Sequence, residues 1–172
     1  AMIALARSRA PQATFKAGSF VSADIPTCVA VTSIGEVLNY TFDSGSDSRA
    51  RRRVFERVHQ SLEPRGLFLF DVAGPQRGDP GGRHRTYSMG PDWAVLVETS
   101  VVRDAAILIR EITTFRKTGE LFRRDAETHR LALLDPSDIL GELRDVGFEV
   151  QTMAAYGSLT LPEGLTAFLA RK

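Results

Sequence analysis

The chain has 172 residues, 22 basic against 21 acidic for a net charge of +1, with hydrophobic and charged fractions of 43% and 25%. These values describe one globular domain, large enough to bury roughly 70% of the surface that its unfolded form exposes. They exclude a global field that steers the chain to nucleic acid or a membrane, and its apolar runs fall far short of the ~20 residues that span a bilayer.

In chain order, residues 2–9 read as the end of an amphipathic helix stopped by Pro11. Residues 13–17 form a short strand candidate running into Gly18-Ser19-Phe20. Residues 28–32 are apolar without alternation, as a parallel strand covered on both faces requires. Residues 47–62 place Val54, Phe55, Val58 and Leu62 on one helical face, and residues 66–72 make the next buried strand. Strand, helix and strand in this order predict a parallel α/β sheet, whose strand C-termini form the ligand-binding edge. Residues 74–90, rich in glycine, proline and arginine, read as a mobile loop.

Three strands are then expected at 93–102, 107–116 and 121–134, with turns at Arg103-Asp104 and Thr118-Gly119. In the third, Arg123, Asp125, Glu127 and His129 alternate, which predicts one solvated face. Asp135-Pro136-Ser137-Asp138 is a helix start, with a capping Asp, proline in the first helical position and a carboxylate in the first turn. Ile139, Leu140, Leu143 and Val146 form its buried stripe and Gly147 ends it. Residues 148–153 and 165–170 are expected to close the fold as an antiparallel pair.

Several residues carry candidate chemistry. A helix begun at Gly35 puts Glu36 and Tyr40 on one face at i, i+4, where Glu36 orients or deprotonates an amine or hydroxyl and Tyr40 lines the pocket. The alternative is that Glu36 complements a helix N-terminus and that Tyr40 and Asn39 are packing residues. Asp71, after Phe70, reads as a turn residue more than a catalytic one. The 74–90 loop is either a substrate lid, with Arg83, Arg85 and Tyr87 as contacts, or a disordered surface loop. It lacks the phosphate-loop spacing. His59, His84 and His129 stand apart from one another and from Cys28, so no metal spacing exists, and His59 reads as half-buried packing. The arginines of residues 49–53 read as a solvated helix face. A single cysteine excludes an internal disulfide, no signal-peptide pattern stands at residues 2–9, and a cytoplasmic location is expected.

The segments Cys28-Val29-Ala30-Val31-Thr32-Ser33-Ile34-Gly35-Glu36 and Pro64-Arg65-Gly66-Leu67-Phe68-Leu69-Phe70-Asp71 resemble the second half of a class I S-adenosylmethionine-dependent methyltransferase. The resemblance covers nearly the whole chain. It implies an α/β, three-layer Rossmann-like sheet, N-terminally truncated, as a single domain over 1–172 with an antiparallel insertion at about 74–134. Pro64-Arg65-Gly66 matches the family's Pro-Gly-Gly turn, with Arg65 in place of a glycine. The family's adenine contact falls on Gly18, Ser19 and Phe20, with Ser19 where an Asp is usual, and the methionine part of the cofactor falls beside Ser33, Ile34 and Gly35. Glu36 and Tyr40 become the catalytic candidates, and Asn39, Arg85 and Tyr87 the substrate contacts.

The family's first strand, its glycine-rich turn and the acidic residue after the second strand have no counterpart here. Weak or absent binding of S-adenosylmethionine is therefore expected, as is a homodimer or larger assembly through the edge at Cys28–Thr32, or a rearranged segment 2–23 that covers this edge. The inferred function is methyl transfer to a small-molecule nucleophile, perhaps an amine, impaired in this chain. The alternative is a non-catalytic, self-associating module that binds a small ligand or a protein. No nucleic acid, membrane or metal partner is expected.

Overall fold

The computed structural model describes residues 2–41, 48–78 and 82–172. A mixed four-stranded sheet carries the fold. Strand β1 (Cys28–Ser33) lies parallel to β2 (Leu62–Ala73), which pairs antiparallel with β10 (Leu165–Arg171), and β10 pairs antiparallel with β7 (Glu149–Met153). The expected closing pair is therefore present. Helix α2 (Ser48–Ser61) connects β1 to β2, and α3 (Pro136–Val146) leads into β7. The start predicted for α2 at Asp47 lies outside the described residues.

The core follows from the apolar spacing. Val54, Phe55 and Val58 of α2 and Ile139 and Leu143 of α3 are buried on Phe68 and Phe70 of β2 and Phe168 of β10. The rings of Phe70 and Phe168 stack at 5.0 Å, and Phe55 lies 5.7 Å from Phe70. The start of α3 forms as its sequence dictates. Asp135 caps the helix by accepting from the Ser137 amide at 2.8 Å, and Gly147 ends it at φ 109°. His59 packs edge-on against Phe148 at 4.8 Å, as expected, and burial together with the Lys172 charge lowers its pKa. The arginine face of α2 is solvated at Arg49, Arg52 and Arg53, as expected, but Arg51 is half-buried between the helices. Arg51 reaches Glu142 of α3, and Arg52 reaches Glu56 and Asp145 near the surface.

Arg65 occupies the left-handed region at φ 65°, where glycine is favoured, in the turn that resembles Pro-Gly-Gly. Its amide donates to the Lys172 carbonyl and the Lys172 amide to the Gly66 carbonyl, so the C-terminus holds this turn.

Strand β1 forms the edge of the sheet. It is not covered on both faces, because Val29 is 66% exposed and Ala30 and Thr32 are exposed beside it. Helix α1 (Met2–Arg9) stops before Pro11 but buries no residue, so it is not the amphipathic element expected. Residues 13–17 are not a strand, and among the described residues no strand runs beside them to pair their amides.

A second sheet of four antiparallel strands, β3 (His84–Gly90), β4 (Trp93–Val102), β5 (Ile107–Thr118) and β6 (Leu121–Ala132), is inserted between β2 and α3. The two expected turns are present, closed by Ala106 at φ 49° and Gly119 at φ 63°. The loop expected over 74–90 is corrected, since residues 84–90 pair along their whole length with β4. The single solvated face predicted for the last strand is corrected too, because the first eight residues of β6 are exposed on both faces. The meander docks on the sheet through Leu108, Leu131 and Leu133 against Ala73. A small hairpin of β8 (Ala155–Tyr156) and β9 (Leu159–Thr160) precedes β10.

Candidate functional site

The parallel strands β1 and β2 end at the same edge, and the segments that follow them meet there. The helix expected from Gly35 to Tyr40 is replaced by a tight left-handed turn, with Gly35 at φ 93° and Glu36 at φ 61°. A single 3₁₀ turn, Val37–Asn39, follows. The reason is Asp71 near the end of β2. Its buried carboxylate accepts the Gly35 amide at 3.1 Å on both oxygens and the Glu36 amide at 2.6 Å, and the Tyr156 hydroxyl donates to it at 2.9 Å. Burial and the bond to Asp71 push the Tyr156 hydroxyl far above its usual pKa, so it stays a donor.

This turn sends the Glu36 side chain inward between two arginines. Arg110 of β5 grips both carboxylate oxygens, at 2.5 and 3.0 Å, and the Nε of Arg77 reaches Oε1 at 3.2 Å. Burial raises the Glu36 pKa, but hydrogen bonds and charge from Arg110 and then Arg77 outweigh it, and the net shift is downward. Glu36 is therefore a fixed anion and a hydrogen-bond acceptor, and a poor proton acceptor in this arrangement. Arg110 also bonds Tyr40. The Tyr40 hydroxyl lies 3.4 Å from Nδ1 of His129, the residue across from Arg110 on β6, and Nε2 of His129 lies 3.0 Å from Glu127.

Glu36 and Tyr40 thus belong to one polar network, joined through Arg110 rather than by helical spacing. Asn39 is buried and its amide serves the fold. It donates to the carbonyls of Ala73 and Ala132 at 2.8 and 2.6 Å and accepts the Ala73 amide at 3.0 Å. It ties β2 to the last strand of the meander.

An open cleft of about 950 Å³ adjoins this network. Its walls are residues 75–78 after β2, the inward face of the meander (Thr86, Val97, Leu108, Arg110) and Glu163. Arg85 and Tyr87 do not line it. Strand alternation turns them to the opposite face, where Arg85 pairs with Glu98 at 2.6 Å and Tyr87 is 75% exposed along a second groove. Their neighbours His84 and Thr86 line the cleft instead.

The turn that carries Arg77 is fixed by its backbone. The Gly74 amide donates to the Gly164 carbonyl at 2.8 Å, the Arg77 amide to the Gly74 carbonyl at 2.9 Å, and Arg103 to the Pro75 carbonyl at 3.1 Å. Gly164 lies at φ 75°, and a Cβ there would come within 2.3 Å of the Arg77 nitrogen. Gly164→Ala is expected to displace this turn and to cost about 2–3 kcal/mol through backbone strain and overpacking, read as a lower urea midpoint with an unchanged slope.

The cofactor candidates lie apart in sequence. Ser33 ends β1, and Ile34 and Gly35 form the lip after it. Ile34 is exposed, and the space over Gly35 is open where a Cβ would sit. Gly18 is open in the same way, while Ser19 accepts the Val21 amide at 3.0 Å and Phe20 packs on the core. Phe20 shares a small hollow of about 180 Å³ with Leu38, Asn39 and Tyr40. No group of three or more His, Cys, Asp or Glu among the described residues is arranged to hold a metal ion. No described helix is long and apolar enough to cross a membrane.

The sheet order β1-β2-β10-β7, with one antiparallel strand inserted and the site at the strand ends, defines the fold of class I S-adenosylmethionine-dependent methyltransferases. The chain superposes on a methyltransferase of this class from Clostridium acetobutylicum with a TM-score of 0.80, covering 99% of this chain and 70% of that one at 16% identity. It also matches Streptomyces venezuelae DesVI (TM-score 0.78, 17% identity, 98% and 69% covered). A third match is the S-adenosylmethionine-bound amino pentose methyltransferase CalS10 of Micromonospora echinaspora (TM-score 0.74, 19% identity, 99% and 69% covered). No protein-family model and no curated protein sequence matches this chain.

Proposed function

We propose that this chain forms the acceptor-binding part of an S-adenosylmethionine-dependent methyltransferase acting on a small-molecule amine. The observation that carries the reading is the Glu36 carboxylate, held ionised on the strand-end turn beside a cleft that accommodates a small acceptor. The fold and the amino pentose methyltransferase among its neighbours support it. Ser33, Ile34 and Gly35 would hold the methionine side of the cofactor, and Gly18 and Phe20 its adenine side. Bound there, S-adenosylmethionine would supply an electrophilic methyl group to the acceptor nitrogen.

Glu36 does not take the proton, because its lone pairs face guanidinium groups and its pKa is lowered. The amine loses its proton to bulk water before attack. Glu36 then stabilises the positive charge that grows on nitrogen.

The test is saturation-transfer NMR with S-adenosylhomocysteine, which detects weak binding. Transfer is expected in the native sequence and its loss in Ile34→Glu, a change at an exposed position of the lip. No transfer to the native sequence overturns the reading.

A second reading, a self-associating module without catalysis, is favoured by the open β1 edge with Val29 exposed. A homodimer through this edge is compatible with either reading. Val29→Lys is expected to shift a sedimenting dimer to monomer.

A further inference from the structure

Glu36 is bound unequally by its two arginines. Arg110 makes a two-pronged grip from the middle of β5, and its side chain is only 18% exposed. Arg77 contributes a single Nε–H bond at 3.2 Å, its side chain is 27% exposed, and it lines the open cleft. The Arg77 backbone is pinned by the Gly74 carbonyl and by Gly164, so the side chain swings without opening the turn. Removing Arg77, which lines the cleft, leaves a neutral Glu36–Arg110 pair in which Oε1 is held by Arg110 alone. A cation that enters there restores the charge that left.

We propose that Arg77 is a placeholder for the methyl acceptor. Its Nε–H occupies the place on Glu36 Oε1 that the acceptor's amino group takes, and Arg110 stays to orient the carboxylate. Arg77 thereby sets selectivity. An entering group must donate an N–H and carry or develop positive charge to displace a guanidinium, so amines are admitted and neutral alcohols disfavoured. An arginine on the surface of a cleft is a weak competitor, which makes the exchange accessible. The proposal rests on the amine methyltransferase reading for its biological meaning, but the exchange itself is a property of three side chains.

The test uses methylammonium as probe and tetramethylammonium, which has no N–H, as control at equal ionic strength. The readout is the Glu36 side-chain carboxyl resonance in ¹³C NMR. The native protein is expected to bind methylammonium weakly. Arg77→Ala and, as a second variant, Arg77→Gln should bind it about three- to tenfold more tightly, as loss of one competing, single-bonded ion pair implies. Tetramethylammonium should leave the Glu36 resonance unmoved in all three. Equal methylammonium affinity in native and variant proteins overturns the proposal, as does an equal response to tetramethylammonium. If methylammonium displaces Arg77 while S-adenosylhomocysteine gives no saturation transfer, the exchange stands and the methyltransferase reading falls.

Discussion

Replacing Arg110 with methionine is expected to destabilise the protein by about 3 kcal/mol at neutral pH, and adding Glu36→Gln should recover more than half of that loss. The single change keeps most of the apolar stem but leaves a buried carboxylate with one weak partner, Arg77. It also removes a partner of Tyr40. The double change removes the stranded charge, and a double-mutant cycle in urea isolates the pair term. The pH dependence gives a second check. In the native fold the Glu36 pKa lies below its ordinary 4.5, so its contribution is present above that value and is lost as pH falls through the folded pKa. In Arg110→Met the largest lowering influence is gone while burial and Arg77 remain, so Glu36 protonates at higher pH than in the native fold. The difference in stability between the two proteins therefore narrows as pH falls from the Glu36 pKa of the variant to the lower one of the native fold. A difference that stays constant with pH assigns the loss to packing of the Arg110 stem alone.

The elements that could be read from sequence are those whose cause is local. Asp135-Pro136 carries its own cap and its own first-turn geometry, and the helix forms there. The apolar run ending at Phe70 and the spacing of Val54, Phe55 and Val58 needed no knowledge of partners to announce a strand and a helix. Strand β3 gives no such signal. His84-Arg85-Thr86-Tyr87 is polar, and it is a strand because β4 offers its ladder. Which side chains face the cleft then turns on parity, and one position separates His84 and Thr86 from Arg85 and Tyr87.

The candidate site divides in the same way. Glu36 stands out by its place after an apolar strand, but its amide is held by Asp71, 35 residues away in sequence. Arg77 and Tyr156 carry no signal in the sequence that would mark them for the site. Only Arg110 leaves a trace, a charge at an alternate position between Leu108 and Ile112 in an otherwise apolar strand face.

Asp71→Ala should have the largest effect of any single change at the strand edge, about 3–5 kcal/mol, because charge-assisted bonds to three donors are lost together and the donors stay buried or half-buried. Without the Asp71 acceptor, the left-handed Glu36 keeps only its carbonyl bond from the Asn39 amide on the backbone, and it is expected to relax toward a negative φ and withdraw its carboxylate from Arg110. Asp71→Asn should be nearly as damaging. It keeps one acceptor oxygen but turns an amide donor toward groups that are themselves donors. Tyr156→Phe removes one bond and leaves the two backbone amides served, so about 1–2 kcal/mol is expected. The paired change Asp71→Ala with Tyr156→Phe should cost less than the sum of the singles, since the hydroxyl no longer lacks a partner. Urea unfolding measures these four values. The Gly35 and Glu36 amide resonances report the turn directly, and they should move in Asp71→Ala while staying near their native positions in Tyr156→Phe. If Asp71→Ala leaves both amides in place, the turn is fixed by its own backbone, and Asp71 does not position Glu36.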